Sequence, residues 1–227
     1  MKRFLLPLFI FLFTLPAFSQ TEDLGAWMTF GFNKGITKKI GFQFDQEFRV
    51  RDNFSTINLF YTNVGLNYKP KKFIKIAVVY RMINKRKEDG SYGLRSRIYT
   101  DLTLKARPTD KLTLSYRARL QAEWRQSGYP DNYGKIPEVF LRNLFKIGYE
   151  IGPRATPYAA TELRWQLQNP RVPWANGFNR QRFIGGMDYK LNDLHTFGAY
   201  FLYQKEYNVN DRQTLYIVGL EYTLSID

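Results

Sequence analysis

The sequence predicts an all-β chain, an antiparallel transmembrane β-barrel of about 10–12 strands, and three observations carry that expectation. Apolar and polar residues alternate with period two from end to end after Gln20. In 112–125, Leu112, Leu114, Tyr116, Ala118, Leu120, Ala122 and Trp124 share one face, while Thr113, Ser115, Arg117, Arg119, Gln121, Glu123 and Arg125 share the other. The alternating stretches outrun the roughly five or six residues usual in soluble sheets. They suit the roughly nine to eleven tilted residues that cross a bilayer. Finally, tight turns ("NKGITKK", "KPKK", "RPTDK", "GPRAT", "KLNDL") alternate with longer, Gly/Pro/Asn-rich connections ("RDNFST", "NKRKEDGSYG", "QSGYPDNYGKIPE", "NPRVPWANGFN"), and only "NVNDR" breaks the size rule. Short turns at one rim and long loops at the other is the layout of an outer-membrane barrel with its short turns in the periplasm.

Taken in order, residues 1–19 read as a signal peptide: Lys2 and Arg3, an apolar stretch from Phe4 to Pro16, and Ala17-Phe18-Ser19 before the cut. Residues 20–227 form one barrel domain, with no internal repeat or linker. Without Lys2 and Arg3 the chain holds 32 basic and 20 acidic residues, a net charge of +12, and no cysteine. The fold is therefore held without disulfides. The basic residues alternate with apolar ones along strands instead of clustering in a run, and export argues against nucleic acid as a partner.

The first strand, 23–33, carries Trp27. The second, 39–51, sets Ile40, Phe42, Phe44, Phe48 and Val50 against Gln43, Asp45, Glu47, Arg49 and Arg51. Strands 56–68 and 73–84 follow; then 94–106 opposes Leu94, Ile98, Leu102 and Leu104 to Arg95, Arg97, Tyr99, Asp101, Thr103 and Lys105. The segment 111–125 is the sixth, and 139–150, 157–168, 178–190, 195–206 and 213–225 complete eleven. Single-chain bacterial barrels hold an even number of strands, so the eleventh demands a strand missed or split, or an unusual first strand.

Alternation alone also allows a soluble barrel with its apolar face inward. Aromatic residues argue for the inverted arrangement: Phe48, Tyr80, Trp124, Trp165 and Tyr203 cluster toward the long-loop rim, and Tyr149, Tyr189 and Tyr222 toward the short-turn rim. Two such girdles mark the two interfaces of a bilayer. The polar face mixes both signs, as an enclosed lumen requires. For the hairpin joining the fifth and sixth strands, a three-residue "PTD" loop would set Asp101 opposite Arg117 and Arg95 opposite Glu123. The competing register would oppose Arg97 to Arg119, forgoing opposite-charge pairs worth about 0.2–1 kcal/mol each.

The strand bearing "DLGAWMTFGFNK", the following "KKIGFQFDQEFRVRDN" and the repeated aromatic hairpins resemble an uncharacterised family of bacterial outer-membrane β-barrels classed as a domain of unknown function. The resemblance spans nearly the whole mature chain. It implies the fold and no activity.

Chemistry is sparse. His195 is the single histidine, which excludes a histidine-rich metal site and leaves no metal or cofactor expected. Ser96 falls at the far rim from His195, and Ser225, at the same depth, points the other way. The rim acids Glu88, Asp89 and Asp131 have no histidine beside them, and the Gly185-Gly186 pair relieves crowding or allows a bend in a strand. Tyr129, Tyr133 and Trp174 are loop aromatics able to meet sugars or partners. Arg49, Arg51, Arg95, Arg97, Asp101, Arg117, Arg119, Glu123, Arg142, Arg164 and Arg182 are the expected lumen-lining residues, with Lys75, Arg81, Arg125, Lys146, Arg180 and Lys190 adding to the cationic excess. Such an excess favours small anionic solutes where a water path exists. The same long side chains would also fill a barrel of this size.

The expectation is thus a non-enzymatic integral protein of the outer membrane of a Gram-negative bacterium, in contact with its lipid. It would be either a narrow, porin-like passage for anions or a surface and scaffold protein. The alternatives are an outer-membrane enzyme acting on lipid or lipopolysaccharide and a soluble periplasmic ligand-binding barrel.

Overall fold

Alternation this regular leaves the backbone one way to satisfy every N–H and C=O while separating the two faces, a closed sheet. The computed structural model describes residues 21–129, 134–172, 174, 176–209 and 212–226. The expected signal peptide, Asp131 and Tyr133 lie outside them. Eleven strands follow in order: β1 Thr21–Gly35, β2 Ile40–Arg51, β3 Thr56–Lys71, β4 Ile74–Arg86, β5 Tyr92–Ala106, β6 Leu112–Arg125, β7 Glu138–Tyr149, β8 Ala155–Gln168, β9 Gly177–Lys190, β10 His195–Glu206 and β11 Gln213–Ile226. Each pairs antiparallel with the next, and β1 meets β11 to close the barrel.

The closure accounts for the odd count of eleven through an unusual first strand, one of the three resolutions the sequence left open. The first strand is a full member of the wall: it pairs antiparallel with β2 from Ala26↔Val50 to Gly35↔Gly41 and parallel with β11 from Thr21↔Gln213 to Lys34↔Ile226. An odd number of up-and-down strands can close only if one neighbouring pair runs parallel, and this seam is that pair. Chain direction therefore places Thr21 at the same rim as the long loops.

The connections at that rim are 52–55, 87–91, 126–137, 169–176 and 207–212, and those at the other are 36–39, 72–73, 107–111, 150–154 and 191–194. In 52–55, Asp52, Asn53 and Phe54 all take left-handed φ, between 54° and 66°. The Asp23 carboxylate of β1 accepts the Asp52 and Asn53 amides at 2.8 and 3.4 Å, which holds this otherwise costly turn.

The two faces are inverted relative to a soluble protein. Met28, Phe30, Leu66, Val78, Leu120, Phe201 and Leu220 are each 43–54% exposed, whereas Glu47, Arg81, Asp101, Arg119, Glu123, Glu162 and Arg182 are 3–7% exposed. Aromatic pairs band the outer face at both ends. Phe48 with Phe60, Trp165 with Phe178 and Tyr203 with Tyr216 lie toward the long loops, and Tyr222 with Phe30 and Phe197 toward the short turns.

Charge does not fill the interior alone. Ala77, Val79 and Tyr99 form one buried apolar cluster, and Trp27, Leu202, Leu215 and Ile217 form another beside the parallel seam. Tyr200 packs against the second cluster, and its ring occupies the space a Cβ at Gly219 would need. A Cβ at Gly186 would sit 2.6 Å from the Tyr200 Cβ and 2.8 Å from the Tyr158 ring, so the two glycines make room for Tyr200 and Tyr158.

The β5–β6 register differs from both expected alternatives. Asp101 faces Arg119, Arg97 faces Glu123 and Arg95 faces Arg125. The shift of two residues keeps every side chain on its face, so the hydrophobic pattern is indifferent to it. It gains a bidentate pair, in which Arg119 Nε and Nη2 each donate to Asp101 at 2.7 Å. The opposed Arg95 and Arg125 are each drawn off to a carboxylate, Glu123 and Glu138.

Candidate functional site

Inward residues of neighbouring strands stand close enough for cross-strand pairs, and carboxylates become hubs for several guanidinium groups. Glu162 on β8 accepts from Arg142 at 2.6 and 2.8 Å, Arg182 at 3.0 Å and Arg117 at 3.1 Å. Glu123 on β6 accepts from the Nε of Arg97 and from Arg95, both at 2.9 Å. Glu47 holds Arg49 and the Tyr61 hydroxyl. Asp23 holds Arg51 at 2.6 Å, Glu206 holds Arg180 at 2.6 Å, and Glu138 holds Arg125 at 2.7 Å together with Arg171.

Some cations are left over. Arg81 donates to the Asn63 side chain at 2.6 Å and Arg164 to Asn179 at 2.7 Å, both neutral acceptors, and among the described residues the lysine ion pairs, Lys87 with Asp89 and Lys146 with Asp188, leave out Lys85. In addition, the buried Nε groups of Arg117, Arg142 and Arg180 have no hydrogen-bond acceptor among the described residues. Buried donors without a partner are uncommon in folded proteins and mark places where a water or anion fits.

All of these cations except Arg117 border a cavity of about 430 Å³ in the long-loop half of the lumen. Among the described residues, ten arginines and Lys85 line it against three glutamates, Glu123, Glu138 and Glu206. Trp27 forms part of the wall, with the Arg49 guanidinium 3.5 Å above its ring and that of Arg182 at 5.2 Å. Tyr129 turns inward from its loop over Gly93, and its hydroxyl accepts from Arg95 Nε at 2.8 Å.

Of the residues expected to line the lumen, Arg49, Arg51, Arg95, Arg97, Glu123, Arg142, Arg164 and Arg182 border this cavity. Asp101, Arg117 and Arg119 do not; Asp101 and Arg119 lie deeper, where the Arg119 guanidinium stacks 3.8 Å from the Tyr99 ring. Sequence reasoning missed Lys85, because the fourth strand runs on to Arg86 past the expected end at 84. It also left Trp27 unplaced. Parity would have found it, since Leu24, Ala26, Met28 and Phe30 face one way along β1 and Asp23, Trp27 and Thr29 the other.

The residues considered for chemistry are dispersed. His195 Nδ1 shares a 2.7 Å hydrogen bond with the Tyr222 hydroxyl on the outer face. Ser96 is hydrogen-bonded to Tyr80 and Gln126, both at 2.9 Å. Ser225 borders a separate space at the short-turn mouth. In the 87–91 loop, the Ser91 hydroxyl and amide, and then Lys87, hold the Asp89 carboxyl down to about 2.

The pattern of the family described as "Protein of unknown function (DUF2490)" matches residues 24–215, which takes in β1 through most of the barrel. The chain belongs to this family. Among solved structures, it is similar to the NanC porin at 16% identity, covering 79% of this chain and 87% of that chain with a TM-score of 0.47. A bacterial polysaccharide outer membrane secretin is 12% identical over 79% of this chain and 73% of that chain, also at 0.47. The translocator domain of the autotransporter NalP from Neisseria meningitidis is 10% identical over 76% and 70%, at 0.41. The comparison with curated proteins gives no match.

Proposed function

We propose that this family member is an integral outer-membrane β-barrel without catalytic activity, exported by its N-terminal signal peptide, whose arginine-lined lumen admits small anionic solutes. Membrane residence is supported by the inverted faces: an apolar belt of this extent in water would drive aggregation, and hydrocarbon removes that penalty. The solute class is supported by one observation, the eleven cations against three carboxylates around the cavity. A surplus of fixed positive charge inside low-dielectric walls concentrates anions and repels cations.

The test is the current carried by the refolded mature chain in a planar bilayer under a salt gradient. The expected result is a reversal potential set by anions, moving toward zero in an Arg81→Gln/Arg164→Gln variant, which removes the two arginines held only by neutral amides. Cation selectivity, or a variant indistinguishable from wild type, would overturn the anion reading.

A second reading, a non-conducting barrel with a surface or scaffold role, is favoured by the middle of the lumen. The long-loop cavity and the space at the short-turn mouth share no wall residue. Val79, Tyr99 and the Asp101–Arg119 pair are buried in the interior. A correctly inserted but silent barrel would select this reading.

A further inference from the structure

The opposite mouth of the barrel presents a different chemistry. The first two short-turn hairpins, β1–β2 and β3–β4, bring Lys34, Lys38, Lys39 and Lys69 to the rim, and Lys75 and Lys105 project from β4 and β5 just inside it. These six lysines share the wall of one space of about 650 Å³. Among the described residues, the fifteen that form its wall include no carboxylate. The lysine ion pairs among the described residues are Lys87 with Asp89 and Lys146 with Asp188, and neither involves this cluster. The nearby acids are engaged elsewhere: Glu150 by Arg107 at 2.7 Å, Asp101 by Arg119 at 2.7 Å, and Asp45 by the Asn63 amide at 3.3 Å.

In the long-loop half the chain supplies most arginines with an internal carboxylate. Here the described residues supply none, and six like charges converge on one space. Neutral groups join them in the wall: Asn33, Thr37, Asn67 and Ser225. Ammonium groups on flexible stems are point charges, suited to the spread negative charge of phosphate oxygens rather than to the planar fork of a single carboxylate. The space holds several such oxygens at once, and a monovalent anion would neutralise only a fraction of the cluster.

We propose that the short-turn mouth is a binding site for a multiply charged phosphate, either free in solution or borne as a headgroup. Lys75 and Lys105 reach it from inside the lumen, and Lys34, Lys38, Lys39 and Lys69 from the rim. The site goes beyond the anion-passage reading, because binding there requires no path through the barrel.

The test uses the mature chain in nanodiscs of zwitterionic lipid, with inorganic tripolyphosphate and monophosphate titrated by calorimetry at low salt. Tripolyphosphate is expected to bind at least about tenfold more tightly than monophosphate. Lys75→Gln/Lys105→Gln should weaken it by about tenfold or more, whereas Lys71→Gln/Lys72→Gln, at the same rim but outside the cavity wall, should leave it unchanged. Heat-modifiable migration establishes that each variant is folded, and Lys34→Gln/Lys69→Gln serves if the first pair does not insert. Adding cardiolipin, whose headgroup carries two phosphates, to the nanodisc separates the sources: competition with tripolyphosphate assigns the site to headgroups, and no competition to a soluble phosphate. Equal affinity for the two phosphates, or the same loss in the Lys71/Lys72 control, overturns the site. Conductance on the same preparation keeps the two proposals apart. A silent barrel that binds tripolyphosphate retains this site without the passage, and anion current without binding does the reverse.

Discussion

The two halves of the lumen handle positive charge in opposite ways. Toward the long loops, buried arginines crowd around shared carboxylates, and Glu162 alone serves three of them. Toward the short turns, exposed or half-buried lysines converge with no acid among the described residues of the wall they share. Burial explains the difference. A guanidinium removed from water needs a fixed partner, because an uncompensated buried charge is destabilising by several kcal/mol. A lysine at a wet mouth keeps its hydration and is screened by salt, so it tolerates like neighbours. The first half is therefore bound up with stability, and the second is free to serve a ligand.

That contrast is most directly broken at Glu162. Glu162→Gln keeps the volume but leaves Arg117, Arg142 and Arg182 without their common counter-ion, and a loss of about 4 kcal/mol is expected, read from the urea midpoint in detergent. A change under about 1 kcal/mol would mean the arginine half is as wet as the lysine half. Next in size is Trp27→Ala, which empties the contact between Arg49, Arg182 and the apolar cluster at the seam. About 3 kcal/mol should be lost, with faster unfolding on heating in detergent.

Gly219→Val tests whether the seam tolerates bulk. Its side chain would displace the Tyr200 ring, with an expected cost of about 2 kcal/mol, and Tyr200→Ala in the same chain should restore part of it. The smallest effect belongs to the lysine mouth. Lys75→Gln/Lys105→Gln should change stability by about 0.5 kcal/mol or less, toward greater stability at low salt, where repulsion among the six ammonium groups is least screened. A loss of about 2 kcal/mol there would show that these lysines are structural after all.

Much of the wall was legible in the sequence. The expected segments 56–68, 178–190 and 195–206 coincide with β3, β9 and β10 to within three residues at each end, because the period-two pattern is local and changes where a turn begins. The lumen side of Arg49, Arg97 or Arg182 followed from parity in the same way. Parity could not say which carboxylate each arginine would take. Arg97 is two residues from its expected register yet on its expected face, since a slip of two leaves the hydrophobic pattern unchanged.

By itself, then, the sequence determined an inside-out barrel wall with a basic interior: period-two alternation, strand length and aromatic placement are properties of each segment alone. The tertiary structure decided the rest, because those features depend on which strands become neighbours. Only closure made β1 the parallel partner of β11 and set Trp27 beneath Arg49. Only closure gathered lysines from four strands and their turns into one mouth, across separations of up to 71 residues between Lys34 and Lys105, where no local pattern reaches.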